Sequence, residues 1–450
     1  MLAVIIDGQY SAGALAVASG AIRGLAYAMS ISGATTAMID DPRIDFIESL
    51  ATALAPLGQT TAELQDVLST CADALGLQIT FLILPTAILG VSTEGEEERT
   101  ILISVSEGAV DLETLGLLQH IAADVVAGRV DPVEGQRRIE ELVASPPRFP
   151  LWLRILAGGL AAAAIALLLG GGSREVVAAV PTGLGVAVFY QVSARIRRLQ
   201  GLLELSSAAF ATCLALLLGH VLSSFDSTTV IIAAIVQLLP GLRLTMGVSE
   251  LAAGHLVAGS SRLAGAAMTL LNLSIGVAVM SAIFERLHEM PAQPQAGGAS
   301  AAMVAISVPA AALAFTVTQN ARHRDIGWVF LAVAVAVAGS RFGAWTVGSQ
   351  LAVGIASLAV GLSGNLYSRY LHRPKSTMSV PGLTVLVPGA LGFEGVFALV
   401  SHTGSVGAHV LVSTVLLVAG LVVGLLVAES IVPPRSLSGR IKKGTGGGGV

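Results

Sequence analysis

The chain has 450 residues, of which 54% are apolar and 12% charged, with a formal net charge of −4. Soluble domains carry roughly a quarter charged residues, so the composition excludes an ordinary soluble protein, and so small a net charge offers nothing to nucleic acid or another polyanion. The two cysteines, Cys71 and Cys213, lack neighbours at metal or redox spacing and read as small buried hydrophobes; no cofactor or metal is expected.

Residues 1–45 form a segment of uncertain structure. Met1–Ile6 lacks the basic stretch of a secretory signal and Asp7 follows at once. Ser11–Ser30 is rich in Ala and Gly, contains Arg23, and reads as a helix packed on the protein rather than an extra span. Residues 46–150 read as a small cytoplasmic α/β domain. Helical apolar spacing covers Asp45–Ala55 and Thr61–Leu75, the second opened by a capping box of Thr60 and Glu63. Gln78–Leu84 alternates, with Ile79, Phe81 and Ile83 on one side; Thr86–Ser92 and Thr100–Ser106 are further strands across an acidic turn, Glu96–Glu98. Helices are expected over Leu112–Ala127 and Pro132–Val143, the latter with Asp131 as N-cap and proline at its first position. Pro146, Pro147 and Pro150 form a short stiff linker.

From Leu151 the chain becomes a series of Ala/Leu/Val/Gly blocks of bilayer length, about 17–25 residues. Ten spans are expected, at 153–171, 176–194, 201–222, 228–246, 262–284, 300–318, 326–340, 345–365, 380–400 and 408–429. They divide into two five-helix units, 151–290 and 291–430, and residues 431–450 form a glycine-rich flexible tail. On the side of the front domain fall Arg148, Arg154, Arg195, Arg197, Arg198, Arg262, Arg322, Arg324, Arg369, Arg373, Lys375 and the basic tail; the other side has Arg174, Arg286 and Arg341. Cytoplasmic loops attract Lys and Arg, so both termini are placed in the cytoplasm. The chain then sits in the plasma membrane, or the inner membrane if its host is a bacterium.

A proline–glycine pair recurs at matching places. The fourth span contains Pro240 and Gly241; the ninth contains Pro381 and Gly382, with a second pair at Pro388 and Gly389. Five spans per half is an odd number, so the halves lie upside down relative to one another. Inverted repeats with interrupted helices at corresponding positions point to a secondary transporter's binding site. Freed backbone groups are tolerated in a bilayer only where protein, water or substrate satisfies them. Gln237, Arg243, Thr245 and Glu250 flank the first break and Glu394 follows the second, the candidate substrate or coupling groups. Glu204 in the third span is either a proton or substrate site or a buried partner for an arginine. Asn272 and Asn365 read as interhelical hydrogen-bonding groups, and Gly420 with Gly424 as a helix-packing pair.

The chain resembles the threonine/serine exporter family from about Phe46 onward. The resemblance is carried by Gly58 with Glu63, Leu84-Pro85-Thr86, Ser106–Leu112 and Pro146–Pro150. It continues through Leu239–Gly247, Glu250-Leu251, Gly254, Gly259 with Arg262, Pro381-Gly382 and Leu386–Gly389. Ser249 stands where the family leads one to expect a basic residue before the acid. The resemblance implies export of threonine and serine driven by the proton gradient; split two-subunit relatives imply small dicarboxylates such as succinate as the alternative cargo. Partners are then the small-molecule substrate, protons and the lipid bilayer, with self-association left open. A rival reading, an intramembrane serine protease, rests on Gly361-Leu362-Ser363-Gly364 and on His409 as base, and needs those two side chains within hydrogen-bond reach. The expected topology sets them most of a bilayer apart. No charged ring or filter-like run supports a selective channel.

Overall fold

The computed structural model describes residues 41–94, 97–105, 108–196, 198–222, 225–288, 299–371, 373–386, 388–400 and 404–433. The readings made for Ser11–Ser30, Glu96, Ser106, Glu107, Arg197 and the tail past 433 lie outside these residues.

The front domain opens with α1 (Pro42–Leu54) and α2 (Thr61–Ala74). Asp41 caps α1, and α2 carries the expected box: the Glu63 amide donates to Thr60 Oγ1 and the Thr60 amide to Glu63 Oε2. Three antiparallel strands follow in sequence order, β1 (Ile79–Leu84), β2 (Ala87–Glu94) and β3 (Glu97–Ser104). Register pairs Ile83 with Ile88 and Ile88 with Ile103, so one face of the sheet is aliphatic and buried. Then come α3 (Leu112–Val126), capped by Asp111, and α4 (Pro132–Ala144), capped by Asp131 with Pro132 at its first position. Phe46, Leu50, Leu68, Cys71, Leu118 and Ile139 close a core of the domain's own. Burial pushes the Cys71 thiol up to about 12, with Asp66 adding to the effect, so it behaves as the inert hydrophobe its spacing implied.

The remainder is helical: α5 (Leu151–Leu168), α6 (Ser173–Ser193), α7 (Leu203–Leu222), α8 (Ser227–Ala234), α9 (Gly241–Ala252) and α10 (Leu256–Leu287). A second set comprises α11 (Ala301–Thr318), α12 (Ile326–Thr346), α13 (Ser349–Leu371), α14 (Ser376–Leu386), α15 (Pro388–Val400) and α16 (Gly404–Ile431). Among the described residues eight helices are long and apolar enough to cross a membrane, and α8 with α9, bent by 50°, makes nine. Helices α14 and α15, of 11 and 13 residues, are each too short to cross alone.

Small residues set the helix spacing. A Cβ on Gly424 in α16 would lie 2.1 Å from Ser357 Oγ and 2.3 Å from the Gly354 carbonyl of α13, whereas one on Gly420 would meet nothing within 4 Å. Both glycines lie in the close approach, since a Cβ on Gly354 would sit 3.1 Å from the Gly420 carbonyl oxygen, but only Gly424 has no room for a side chain of its own. Asn365 departs from expectation: its Nδ2 is buried without a hydrogen-bond partner among the described residues.

The front domain is fastened to one end of the bundle, called here the domain end. The Leu112 and Glu113 amides at the start of α3 donate to the Gln319 and Asn320 carbonyls just beyond α11, at 3.0 and 3.2 Å. Free amides of one helix thus satisfy free carbonyls of another, with opposite dipole ends meeting. Asp111 accepts from Asn320 Nδ2 at 2.6 Å, and Glu113 pairs with Arg148 and Arg322. Arg262, Arg322, Arg373 and Lys375 all lie at this end, as the distribution of basic residues implied.

Gly424→Ala is expected to lower stability by about 1–3 kcal/mol through overpacking, while Gly420→Ala leaves it unchanged. Thermal unfolding in detergent checks this, and equal losses would contradict the packing described. Cys71 should resist alkylation at neutral pH in the folded protein and react once denaturant is added, read by mass spectrometry.

Candidate functional site

Two junctions between short helices, α8 to α9 and α14 to α15, bear on the expected breaks. Asp226 caps α8, accepting from the Thr228 and Thr229 amides at 3.0 and 3.3 Å. After Ala234 the helix loosens into a single 3-10 turn, Val236–Leu238, and Leu239 is extended. Pro240, which has no N–H to donate, stands as N-cap of α9 without a side-chain cap. This is where the sequence placed the first break.

The second interruption is not at Pro381 and Gly382. Those two lie inside α14, where proline removes only the bond to the Thr377 carbonyl. Gly382 instead serves packing: a Cβ there would sit 2.7 Å from Val360 Cγ1 and 3.4 Å from the Ala332 carbonyl. The chain restarts as α15 at Pro388, the first helical position, where a missing N–H costs nothing. Of the two proline–glycine pairs in this span, the second is therefore the one that matches Pro240 and Gly241.

The two breaks touch. A Cβ on Gly389 would lie 3.0 Å from Leu239 Cβ, 3.1 Å from the Gly241 nitrogen and 3.3 Å from Gly241 Cα. One turn on, the same construction at Gly392 meets Leu244 of α9 and Leu270 of α10. The N-terminal ends of α9 and α15 therefore lie side by side. Two positive dipole ends this close are mutually unfavourable unless negative charge offsets them.

Polar groups surround this point in two sets. Toward the end away from the domain, half-buried Glu394 on α15 lies within electrostatic reach of Asp226. Glu175, 7% exposed on α6, accepts from the Gly172 and Asp226 amides at 2.7 and 3.0 Å, tying the cap of α8 in place. Toward the domain end, Glu204 at the start of α7 and Arg243 in the first turn of α9 both act electrostatically on the Tyr190 hydroxyl of α6. Gln237, on the 3-10 turn, is exposed. Thr245, 3% exposed, donates back to the Gly241 carbonyl at 3.0 Å, which leaves its lone pairs as the hydroxyl's remaining capacity. Gln319 donates through Nε2 to Thr384 at 3.1 Å, while its buried Oε1 has no partner among the described residues.

Glu250 stands apart from this group. It lies at the domain end of α9, 2% exposed, with Arg262 Nε 3.0 Å from Oε2 and the Thr61 amide and hydroxyl donating to Oε1 at 2.9 and 2.8 Å. Arg262 supplies the cation that Ser249 does not. Asp226, Glu175 and Tyr190 were not singled out from the sequence. Asp226 had a legible signal, an acid followed by Ser227, Thr228 and Thr229 ahead of an apolar run, which is an N-cap pattern. For Glu175 only the local bond to the Gly172 amide was legible; its link to Asp226, 51 residues on, and the neighbours of Tyr190 on other helices were not.

Ser363 and His409 are not brought together. Ser363 donates to the Ala359 carbonyl, and its neighbour Gly361 packs on Leu425 and Ala428 of α16. His409 lies near the opposite end of α16, about 24 Å along the axis from Leu425 at 1.5 Å per residue.

Comparison with known proteins places these observations in a family. The family described as "Putative threonine/serine exporter" matches residues 45–284, and that described as "Threonine/Serine exporter, ThrE" matches residues 304–431. The chain is 25% identical to the "Threonine/serine exporter" of Corynebacterium glutamicum, covering 84% of this chain and 81% of that one. It is 24% identical to the "Probable threonine/serine exporter" of Mycobacterium tuberculosis, covering 94% and 84%. An uncharacterized protein of Schizosaccharomyces pombe is 25% identical over 78% of this chain and 44% of its own, so the chain spans about half the length of such fungal relatives. No solved structure matches. Since the first match alone takes in more than half of the chain, the protein belongs to the threonine/serine exporter family.

Proposed function

We propose that the chain is a secondary transporter that exports threonine and serine by alternating access around the two interrupted helices, driven by the proton gradient. The observation that carries this reading is the contact between the breaks, with Gly389 seated against Leu239–Gly241. In this reading α14 and α15 together form a tenth crossing, and α5–α10 and α11–α16 are inverted counterparts, each with an interrupted fourth member. Both termini are placed in the cytoplasm, from the clustering of basic residues at the domain end.

The chemistry suits a zwitterion. The converging N-termini of α9 and α15 offer a positive site for the substrate carboxylate. Glu394, within electrostatic reach of a second acid, Asp226, offers negative charge for the ammonium and a carboxylate able to carry a proton. Gln237 is exposed at the first break and free to meet a polar substrate group, and the Thr245 hydroxyl can accept one further hydrogen bond. Arg243, Glu204 and Tyr190 lie on the path from the domain end. Arg243 beside two positive helix ends also favours a second reading, a dicarboxylate such as succinate, which carries two negative groups and no ammonium.

Proteoliposomes preloaded with radiolabelled threonine provide the test. Efflux should depend on an imposed proton gradient and be inhibited by serine; inhibition by succinate alone would select the second reading, and no flux of either would overturn both. Glu394→Gln is expected to leave threonine exchange measurable while abolishing its response to the gradient. Gly389→Val should reduce flux by about tenfold or more, since even small displacements at a binding centre are costly, whereas Gly265→Ala, which meets nothing within 4 Å, should not.

A further inference from the structure

One turn of the front domain holds both interrupted helices. At the end of α9, Glu250 accepts from the amide and hydroxyl of Thr61, the first residue of α2. Arg262 of α10 completes the cluster, its Nη2 donating to the Gln59 carbonyl at 3.1 Å. Two residues further along the same turn, Glu63 Oε1 lies 3.0 Å from Lys375 Nζ, and Lys375 immediately precedes α14. The same ammonium reaches Glu429 of α16 at 2.8 Å. Residues 59–63 therefore bind the domain-end termini of both interrupted helices, and through Arg262 and Glu429 the two long helices that follow them.

These contacts are ionic and hydrogen-bonded rather than apolar. The aliphatic core of the domain and that of the bundle are separate clusters, and the domain residue Leu112, which joins the bundle's core, lies at the other attachment, by Gln319 and Asn320. Burial opposes ionisation of Glu63, but Lys375 and the Thr60 hydrogen bonds outweigh it and hold its carboxyl below the usual range; Lys375 is raised in turn by Glu63 and Glu429 against its own burial. Both groups are charged at neutral pH. A polar junction of this kind can part and reform without exposing an apolar core. A domain joined at one place covalently, by helix-end hydrogen bonds and by the Glu113–Arg322 ion pair, and at the other by the 59–63 turn, has the layout of a hinge and a latch.

We propose that residues 59–63 are the domain-side gate of the transporter. Thr61, Glu63, Arg262 and Lys375 are its positioning residues: while they are paired the domain ends of α9 and α14 are held together, and substrate can enter the breaks from the domain side only after they separate. This rests on the alternating-access reading above.

The gate can be tested in protein carrying Cys71→Ala and Cys213→Ala. Thr245→Cys, buried between the first break and the latch, serves as a probe of opening, labelled by a water-soluble maleimide applied from the domain side. Lys375→Met should raise its labelling rate about fivefold or more, the low end of typical coupling between sites. Lys375→Arg should keep it at the parent rate, which a merely structural loss would not do. Separately, Glu63→Cys with Lys375→Cys, joined by a short cleavable bis-thiosulfonate, should reduce threonine flux by about tenfold, a barrier increase of ~1.4 kcal/mol, and recover on reduction. Unchanged labelling in Lys375→Met, or full flux through the cross-linked protein, would overturn the gate. If the parent moves no threonine, the transport reading fails while the labelling rates still decide whether the turn controls access.

Discussion

The contact of Gly389 with Leu239 and Gly241 is the constraint from which the rest of the bundle follows. A helix interrupted inside an apolar environment releases amides and carbonyls that lipid cannot satisfy, so the interruption must be enclosed by protein. Here each break encloses the other. Gly389, with no side chain, fits there without displacing Leu239 or Gly241, and electrostatically the contact brings together two like dipole ends. The arrangement is at ease when an anionic group is present, which is why the same geometry that demands protein cover also suggests a carboxylate-bearing cargo. The long helices α5, α7, α10, α13 and α16 form the frame around this point, drawn close by small residues such as Gly276 against the Leu205 carbonyl and Gly424 against Gly354.

Charge is distributed around the breaks in a way that burial makes meaningful. Glu175 spends its carboxylate on two backbone amides, fixing the cap of α8. Glu250 is wholly occupied by Arg262 and Thr61, and so belongs to the junction with the front domain rather than to the centre. Glu394 has no such set of donors; its described electrostatic neighbour is Asp226, another acid. Unlike Glu250, Glu394 is therefore the acid on which the proposed coupling role is placed. The front domain, held by helix-end hydrogen bonds on one side and by ion pairs on the other, couples its own α2 to the segments that would have to move.

Length, apolar block size and the proline–glycine pairs are local properties, and the sequence by itself determined what depends on them: a helical membrane bundle behind a small α/β domain, the capping box at Thr60 and Glu63, the N-cap at Asp131, and the first break at Pro240. Each follows from the conformational preferences of a few neighbouring residues. What only the tertiary structure decided is which of two identical-looking dipeptides breaks its helix. Pro381 and Pro388 differ in what packs against the glycine that follows, Val360 and Ala332 in one case and the opposing break in the other. The pairing of Glu250 with Thr61 across 189 positions and of Glu63 with Lys375, and the nearness of Glu394 to a second acid, Asp226, were equally out of reach, because a group's neighbour is chosen by distance in space and burial, and neither is a property of the residues beside it in the chain.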